Sequence, residues 1–551
     1  MQHHVPARST RRAALPLVAL IVTLSVLAGA CGSAKSSTES SATQSTDKAA
    51  AVDQGTPVDG GAVVWGLEAE TDGLSPSTGR WAVSGHMLAS AIFDPLVTVD
   101  ADGKVVPYLA ESFSPDSTNT SWAIKLRSGI KFHDGEPLDS AALLKNLQAE
   151  KASLITNSAM AWIGSMTVTD PLTVTVTTTH PWATFPTIFA SQLGYVVAPK
   201  QIDDFNGADA PIGTGPFVFK DWVKNDHFTA TKNPNYWRTG LPHLNEITFK
   251  PVPDAQQRLE ELQNGTLDAI QTLTPASINE IRSTSSLNHI EYTQGEASFV
   301  SLNTSKPPFN NLLARQAMAS ATNSPEYLSQ YAAGVYAPTN GMYAEGNIGY
   351  VADSGYPSFD LDKAKQLVAQ YTAQTGQPLS FTYSGASNAD DAKRAQFLKD
   401  MWEAAGMKVT LAGVAQADQV VQTVLGQYQA TDFRLFNQTD PDTDWVWTAG
   451  ATVGPTNGLS LNIARYANTD HDAAMTAGRS TTDPAARQTA YENANKALNA
   501  GLPYIWLARV NWTIAAQPRV HGYGAASNGS IQTLGPKTWL SDLWISGDSG
   551  S

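Results

Sequence analysis

The chain has 551 residues, of which 50 are acidic and 36 are lysine or arginine, so its formal net charge at pH 7 is −14. This acidic balance excludes a nucleic-acid surface, whose phosphates need positive charge, and disfavours adhesion to anionic lipid headgroups. The single cysteine excludes a disulfide within one chain, so an apolar core must hold the fold. A chain this long exceeds the size of one core, so we expect two or more domains.

The N-terminus has the pattern of an export signal over residues 1–30. Arg8, Arg11 and Arg12 precede an uncharged apolar run, Ala13 to Ala30, that ends in small residues. The same run is long enough to cross a bilayer once as an anchor, and Thr10-Arg11-Arg12 hints weakly at a twin-arginine route. Each interpretation places the rest of the chain outside the cytoplasmic membrane.

Cys31, the only cysteine, stands directly after this apolar run. The position resembles the lipobox of bacterial lipoproteins, although Ala28 stands where a leucine is typical and Leu27 comes one place earlier. The resemblance implies that Cys31 is lipidated, becomes the new N-terminus and anchors the protein to the outer face of the cytoplasmic membrane. Residues 31–57 are rich in Ser, Thr and Ala, which predicts a flexible tether.

The body of the chain begins with a strand pattern at 62–67, rich in branched and aromatic residues. Residues 166–179 alternate apolar residues with threonine, which predicts half-exposed β structure. Both patterns are local. They establish strands without showing which strands pair.

The stretch 377–437 alternates strand and helix patterns most clearly. The strand residues are Leu379, Phe381 and Tyr383, then Val409 and Leu411, then Phe433 and Leu435; the helix residues are Leu398, Met401, Trp402 and Ala405, then Val420, Val421, Val424 and Leu425. Gly406 can end the first helix in a left-handed conformation. This β-α-β-α-β order predicts parallel strands, and ligands bind beyond the carboxyl ends of such strands. The loop that begins at Asn437 is therefore a candidate binding loop.

Motifs that suggest catalysis or metal binding have simpler explanations. In Phe132-His133-Asp134-Gly135 the Asp-Gly pair is a strong turn signal. Gly213-Thr214-Gly215-Pro216 lacks the spacing of a phosphate loop and predicts a tight backbone turn. The ten histidines are scattered, and no metalloprotease motif or serine nucleophile elbow appears. We therefore predict no metal, no cofactor and no catalytic residue, although counting cannot exclude a pair of carboxylates.

A series of strings from residue 61 to about 510 resembles the peptide/nickel-type family of extracellular solute-binding proteins, family 5, that serve ABC importers. The strings are FDPLV at 93–97, PYLAESF at 107–113, KLRSGIKFHDGEPL at 125–138, IGTGPF at 212–217, KNPNYW at 232–237, NGTLDAI at 264–270, LNTSKPPFNNLLARQAMA at 302–319 and FDLDKAKQLV at 359–368. The string at 125–138 is the most specific. Eight strings in the family's order make coincidence implausible.

The resemblance implies a two-lobed α/β fold of the periplasmic-binding-protein type, with a ligand cleft between the lobes and a subdomain inserted in lobe one. The implied boundaries are 58–96, 212–296 and 512–551 for lobe one and the C-terminal tail, 97–211 for the insert, and 297–511 for lobe two. Crossings near Gln294 and Trp512 would form the hinge, and closure around a solute would bury it.

The resemblance also places candidate ligand contacts. Peptide binders of the family carry an aspartate three residues before an Asp-Pro step, where it pairs with the peptide ammonium; here the step is Asp440-Pro441 and the residue is Asn437. An amide cannot neutralise an ammonium, so this departure argues against a free-amino peptide, unless Asp440, Asp442 or Asp444 takes the role. The other candidates are Glu68, Glu70 and Trp81 from lobe one and Asn303, Trp445 and Trp447 from lobe two. Tryptophans offer flat stacking faces, yet Trp445 and Trp447 are equally explained as core residues.

The sequence therefore predicts a monomeric solute-binding lipoprotein, not an enzyme, that delivers its solute to an ABC permease and its ATPase subunits. An oligopeptide is the first choice of solute, and an oligosaccharide or another polar solute is the alternative. A secreted hydrolase and a surface sensor are the rival classes. Sequence alone does not separate a sensor from an importer component.

Overall fold

The computed structural model describes residues 55–100, 103–190, 192–204, 207–293, 295–436, 440–456, 458–524, 530–531 and 538–547. The strands are β1 (Ala62–Leu67), β2 (Val97–Asp100), β3 (Val105–Pro107), β4 (Ala110–Pro115), β5 (Ser121–Leu126), β6 (Ile163–Asp170), β7 (Thr173–Thr178), β8 (Phe217–Val223), β9 (His227–Lys232), β10 (Glu246–Pro251), β11 (Ala269–Thr272), β12 (Asn288–Tyr292), β13 (Ala297–Leu302), β14 (Ser380–Ala386), β15 (Lys408–Val414), β16 (Ala430–Leu435), β17 (Tyr504–Arg509), β18 (Trp512–Ala516), β19 (Val520–His521), β20 (Ser530–Ile531) and β21 (Trp544–Ile545). The helices are α1 (Val83–Ile92), α2 (Ser140–Ala152), α3 (Pro199–Asp203), α4 (Ala255–Gln263), α5 (Pro275–Ser283), α6 (Leu312–Ala321), α7 (Ser324–Glu326), α8 (Leu361–Thr375), α9 (Ala389–Ala404), α10 (Gln416–Val424), α11 (Trp445–Thr448), α12 (Thr469–Arg479) and α13 (Pro484–Gly501). The leader, Cys31 and Asn437 lie outside the described residues.

Lobe one is built on a seven-stranded sheet with the order β12-β18-β11-β1-β10-β9-β8. β1 pairs in parallel with β10 and β11, whereas β18 runs antiparallel to both β11 and β12. The strand predicted at 62–67 is confirmed as β1. The sheet draws its strands from three distant stretches of chain, and the last of them, β18, lies between two earlier strands.

Lobe two is built on a five-stranded sheet with the order β15-β14-β16-β13-β17. β14 pairs in parallel with both β15 and β16, so the β-α-β-α-β unit predicted over 377–437 is confirmed. Asn388 caps α9 by accepting a 2.8 Å hydrogen bond from the Asp391 amide, and Gly406 follows the helix at φ +90°. The order of the strands reverses at β14, which fixes where a cleft can open.

The insert is built on a four-stranded antiparallel sheet with the order β4-β5-β7-β6. The pattern predicted over 166–179 forms the hairpin of β6 and β7. The insert buries a core of its own, which includes Trp122, Ile124, Trp182 and Phe185. It can therefore act as a separate packed body beside the two lobes.

The backbone crosses between the two large sheets twice. It leaves β12 at Tyr292 and enters β13 at Ala297, then leaves β17 at Arg509 and returns at Trp512. The two crossings bond to each other, since the Gly295 amide donates to the Val510 carbonyl at 2.9 Å and the Val510 amide donates to the Glu296 carbonyl at 3.1 Å. The two crossings therefore lie side by side where the hinge was predicted, and motion about them stays a prediction.

The two motifs interpreted as turns are backbone features. The Gly135 amide donates to the Phe132 carbonyl at 2.9 Å, and Gly135 has φ +92°. A Cβ on Gly213 would lie 2.1 Å from the Ile92 carbonyl oxygen, so this site requires glycine. The turn predicted at 132–135 is confirmed, whereas the glycine at 213 allows a close approach to the Ile92 backbone that the sequence analysis did not predict.

Candidate ligand-binding site

A cavity of about 360 Å³ opens at the carboxyl ends of β14 and β16. Ala386 ends β14, Leu435 ends β16, and Gln416 begins α10 directly after β15. Parallel α/β sheets bind ligands at this edge. The structure thus places a cavity at the edge that the sequence predicted, and ligand contact there stays a prediction.

Three parts of the chain form the walls of this cavity. Lobe one contributes residues 79–83 and His86, the insert contributes residues from 155–159 and 188–193, and lobe two contributes β16, α10 and the segment Asp442–Trp447. A molecule in the cavity would contact both lobes and the insert. Its binding would therefore favour the arrangement in which the three parts are together.

Three of the predicted tryptophans border the cavity: Trp81, Trp445 and Trp447. Trp81 donates its indole N–H to the Gly73 carbonyl at 2.7 Å, which fixes its ring in the wall. Trp445 is 5% exposed and packs in the core of lobe two while one part of it borders the cavity. Trp445 is therefore a core residue that also borders the cavity, and its contact with a ligand stays a prediction.

The two predicted glutamates of lobe one have different surroundings. Glu68 lies outside the cavity wall, but its Oε1 is 3.7 Å from Nη2 of Arg434, which borders the cavity. Glu70 accepts hydrogen bonds from the Thr71 amide at 2.9 Å and the Asn225 amide at 2.7 Å. Glu70 thus stabilises the turn between β8 and β9 and is not among the residues that border the cavity.

Asn303 is fully buried within lobe two. Its side-chain amide donates to the carbonyls of Gly426 and Tyr428, both at 3.1 Å, and its carbonyl oxygen accepts from the Ser305 hydroxyl at 2.7 Å. It is absent from the wall of the cavity. The geometry gives Asn303 a structural role, and direct ligand contact at this residue stays a prediction without geometric support.

Three aspartates lie in one short segment: Asp440 is the N-cap of the 3₁₀ turn Pro441–Asp444, and Asp442 and Asp444 lie within the turn. Each has an arginine as its cationic partner. Asp440 accepts two hydrogen bonds from Nη2 of Arg487, at 2.6 and 2.8 Å, and Asp442 pairs with Nε of Arg479 at 2.7 Å. Asp444 is fully buried and interacts over a longer distance with Arg509.

Burial is the dominant influence on the pKa values of Asp440 and Asp444. It raises the pKa of Asp440 above its usual value, against the opposing effect of Arg487, and raises the pKa of Asp444 well above its usual value. Asp442 is the only one of the three that borders the cavity. Asp440 and Asp442 are each paired with an arginine, whereas the Asp444 carboxyl group accepts no hydrogen bond within the described residues and does not border the cavity.

Arg434 was not predicted from the sequence. It lies on β16 between Phe433 and Leu435, borders the cavity, and has its guanidinium 5.7 Å from the ring of Trp512. Within the described part of the chain its guanidinium donates no hydrogen bond, and Glu68 at 3.7 Å is its ion-pair partner. Because a guanidinium carries five N–H donors, this side chain retains capacity for acceptor groups of a solute.

A second charged group on the wall joins two carboxylates to one arginine. Nη2 of Arg394 lies 2.5 Å from Oδ1 of Asp391 and also contacts Oδ2 of Asp432. Both aspartates border the cavity, whereas Arg394 lies behind them. This edge of the cavity therefore carries an excess of negative charge.

His86 adds a neutral polar group to the wall. Its ring meets Trp81 edge-on at 5.5 Å, and burial lowers its pKa to about 3. The imidazole is thus uncharged at neutral pH and can either donate or accept a hydrogen bond.

The described residues contain neither a cluster of metal-ligating side chains nor a helix that could span a membrane. No group of three or more His, Cys, Asp or Glu side chains there is arranged to hold a metal ion. No helix among the described ranges has the length and apolar character needed to cross a membrane.

Residues 104–457 match the family model of bacterial extracellular solute-binding proteins, family 5 (middle). The chain belongs to this family. The glutathione-binding protein GsiB of Pectobacterium atrosepticum is 26% identical over 450 residues, which cover 79% of this chain and 86% of GsiB.

Solved structures of family 5 type have the same fold. The periplasmic binding protein DppA from Helicobacter pylori, in complex with the peptide STSA, matches with a TM-score of 0.80 at 20% identity and covers 89% of this chain and 99% of its own. AgaA from A. tumefaciens R10, in complex with agropinic acid, matches with a TM-score of 0.79 at 23% identity and covers 88% and 99%. The family and the two-lobed fold with its inserted subdomain are confirmed. The exact lobe boundaries stay a prediction.

The members of this family are extracellular solute-binding proteins, so this chain is a solute-binding protein that acts outside the cytoplasm. The family strings predicted the two-lobed fold. They did not predict that Arg434, His86, Asp391 and Asp432 border the cavity. The available signal for Arg434 and Asp432 was a pair of charges in the strand that also carries Phe433 and Leu435. His86 and Asp391 become neighbours of the cavity only through tertiary packing.

Proposed function

We propose that the protein is the solute-binding component of an ABC importer. It captures a solute outside the cytoplasmic membrane by hinge closure, without chemical change, and delivers it to a permease driven by ATPase subunits. The observation that carries this proposal is the cavity bordered by both lobes and the insert. The relative DppA, described as ABC transporter-associated, supports it.

We propose a small peptide or a peptide-like acid as the solute. The cavity volume of about 360 Å³ lies at the small end of the usual range for ligand pockets. Its wall combines tryptophan faces with the Arg434 guanidinium and with the acidic edge at Asp391 and Asp432. These groups suit a compact solute that carries both polar ends and apolar parts. GsiB is named as a glutathione-binding protein, and the structure of DppA contains a peptide.

The alternative is a non-peptide polar solute, including an oligosaccharide. Asn437 in place of the expected aspartate, and the arginine partners of Asp440 and Asp442, argue against a peptide ammonium in its usual place. AgaA shows that the same fold holds agropinic acid. The tryptophans that border the cavity offer stacking faces for a sugar ring as well as for a peptide plane.

We further propose that Cys31 is lipidated and that residues 31–57 tether a monomeric body to the outer face of the membrane. The support is the sequence: an apolar run that ends at the only cysteine, followed by a polar segment. A leader retained as a membrane anchor is the alternative. The acidic charge gives nucleic acid no role as a partner.

Native mass spectrometry of residues 32–551, purified from cells and then denatured, tests the binding role. A discrete extra mass identifies the solute and decides between a peptide and a sugar. If the mass equals that of the protein alone, a thermal-shift screen with glutathione, short peptides and oligosaccharides follows. Conversion of any of these compounds into a product would instead support a hydrolase and contradict the proposal.

A further inference from the structure

The insert and lobe two meet at Asp442, beside the cavity. Oδ2 of Asp442 accepts hydrogen bonds from the Trp182 indole N–H and from the Thr184 hydroxyl, both at 2.6 Å. The donors lie 258 and 260 residues from their acceptor and follow β7 of the insert. One carboxylate of lobe two is therefore held by two donors of the insert.

The other oxygen of Asp442 holds Arg479, at the end of α12, with Oδ1 2.7 Å from Nε. The Arg479 guanidinium lies 4.0 Å from the ring centre of Trp162, 4.3 Å from that of Trp182 and 4.6 Å from that of Trp445. Two of these three rings belong to the insert. A cation among aromatic faces is attracted by each of them, most strongly where water is excluded.

The backbone adds to the same contact. The Ala183 amide donates to the Arg479 carbonyl at 2.9 Å. Arg479 is 2% exposed, and so is Asp442. The insert thus contributes to both members of the buried ion pair: it donates both hydrogen bonds that Oδ2 of Asp442 accepts, and it packs two aromatic rings against the Arg479 guanidinium.

Separation of the insert from lobe two would remove two hydrogen bonds from Asp442 and two aromatic faces from Arg479 at once. None of these contacts involves the solute. Yet Asp442, Arg479 and Trp445 also border the cavity, so the contact forms part of the wall that a solute meets.

We propose that Trp182, Thr184, Asp442 and Arg479 form a latch that holds the insert against lobe two and sets how much of the protein is closed before a solute arrives. Affinity in a closing protein is reduced by the fraction of molecules that are not closed. Because Trp182 and Thr184 do not border the cavity, loss of either donor should lower the affinity for every solute by the same factor. The proposal rests on hinge closure as part of the proposed function, but on no particular solute.

A distance measurement without solute tests the latch. The full chain with Cys31→Ser carries spin labels at Thr167→Cys, exposed on β6 of the insert, and at Lys365→Cys, exposed on α8 of lobe two. Solute is removed by unfolding and refolding before pulsed dipolar spectroscopy. The variants are Thr184→Val, which removes the hydroxyl donor and keeps the side-chain shape, and Trp182→Phe, which removes the indole N–H and also reduces the aromatic face beside Arg479.

The matched control is Trp122→Phe, because Trp122 is buried in the same insert core and its indole N–H has no hydrogen-bond partner within the described residues. In the parent chain, where the latch is intact, we expect a population of molecules with a short distance between the two spin labels. Each latch variant should lower the ratio of short to long distances about tenfold, as for the loss of a hydrogen bond to a charged group. The control should match the parent.

Two results would overturn the latch: only long distances in the parent chain, or latch variants indistinguishable from Trp122→Phe. Circular dichroism and thermal melting of each variant establish that it is folded. The experiment contains no solute, so its outcome is separate from the search for one by native mass spectrometry. Failure of that search leaves the latch result standing, and failure of the latch leaves solute binding standing.

Discussion

The Glu68 carboxylate of lobe one lies 3.7 Å from the Arg434 guanidinium of lobe two, and this pair crosses between the lobes at the side of the cavity. Trp512 lies beside the same guanidinium and donates its indole N–H to Glu296 at 2.7 Å. Arg434 is thus positioned by groups from both crossings of the hinge. A solute bonded to Arg434 would meet the point where the two lobes bend.

Arg434→Met should weaken binding of the solute recovered from the wild-type protein about tenfold or more, because a charge-assisted hydrogen bond in a closed cavity is lost. Isothermal titration calorimetry measures the change. Arg282→Met is the control, since Arg282 is paired with Glu291 outside the cavity wall. Equal affinities of the two variants would exclude Arg434 from solute recognition.

Trp445→Ala should also reduce affinity about tenfold or more, through loss of a stacking face and of one ring beside Arg479. Trp445→Phe keeps part of the aromatic face, so its affinity should lie between those of wild type and Trp445→Ala. Trp222→Ala, in the hairpin of β8 and β9, is the control. An affinity of Trp445→Ala within a factor of two of wild type would show that the solute lies elsewhere.

His86→Gln should make stability less sensitive to acid. Burial lowers the pKa of His86 to about 3, so between pH 6.5 and 3 the unfolded chain binds a proton that the folded chain does not. This group therefore destabilises the protein progressively as the pH falls through that window. The fall in unfolding free energy from pH 6.5 to 4.5 should shrink by up to about 2–3 kcal/mol in the variant.

Urea unfolding at the two pH values measures this difference. His289→Gln, on β12 and outside the cavity wall, is the control. An unchanged pH slope in His86→Gln would show that the imidazole binds a proton in the folded protein as readily as in the unfolded chain.

Asp440→Ala should cost about 3–5 kcal/mol of stability, because it leaves Arg487 buried without its carboxylate. The double variant Asp440→Ala with Arg487→Ala should lose less than the sum of the single variants. Glu111→Ala breaks an exposed pair with Lys125 and should change stability by less than about 1 kcal/mol. Stability close to wild type, with a large loss of affinity, would instead assign Asp440 to the solute.

Cys31→Ser should abolish incorporation of a radiolabelled lipid precursor into the protein. The label would appear in wild type as a band that is lost in the variant. Equal labelling of the two proteins would refute lipidation at Cys31. Absence of label from both, with the protein in the membrane fraction, would favour a retained leader.

Local patterns predicted much of the fold. The strand at 62–67, the parallel unit over 377–437 and the helix end at Gly406 all follow from periodicity and from glycine conformation, which act over a few residues. The family strings supplied the order of the lobes. Neither source shows which side chains meet.

The chemistry of the site depends on contacts between residues that are far apart in the sequence. Arg487 lies 47 residues from Asp440, and Trp182 lies 260 residues from Asp442. The sequence therefore identified the 440–447 segment as a candidate but not that arginines already occupy two of its aspartates. Asn303 shows the converse, since its family position suggested a ligand while its hydrogen bonds are all internal to lobe two.

The seven-stranded sheet has a consequence for synthesis. β18, residues 512–516, lies between β11 and β12, which precede it by more than two hundred positions in the chain. A growing polypeptide that has not reached residue 516 leaves both earlier strands with open edges, and long-range strand pairing is slow. We therefore expect the lobe-one sheet to be completed after the lobe-two sheet. A chain that ends between residues 509 and 512 should contain all five strands of the lobe-two sheet but lack the strand that joins β11 to β12 in lobe one.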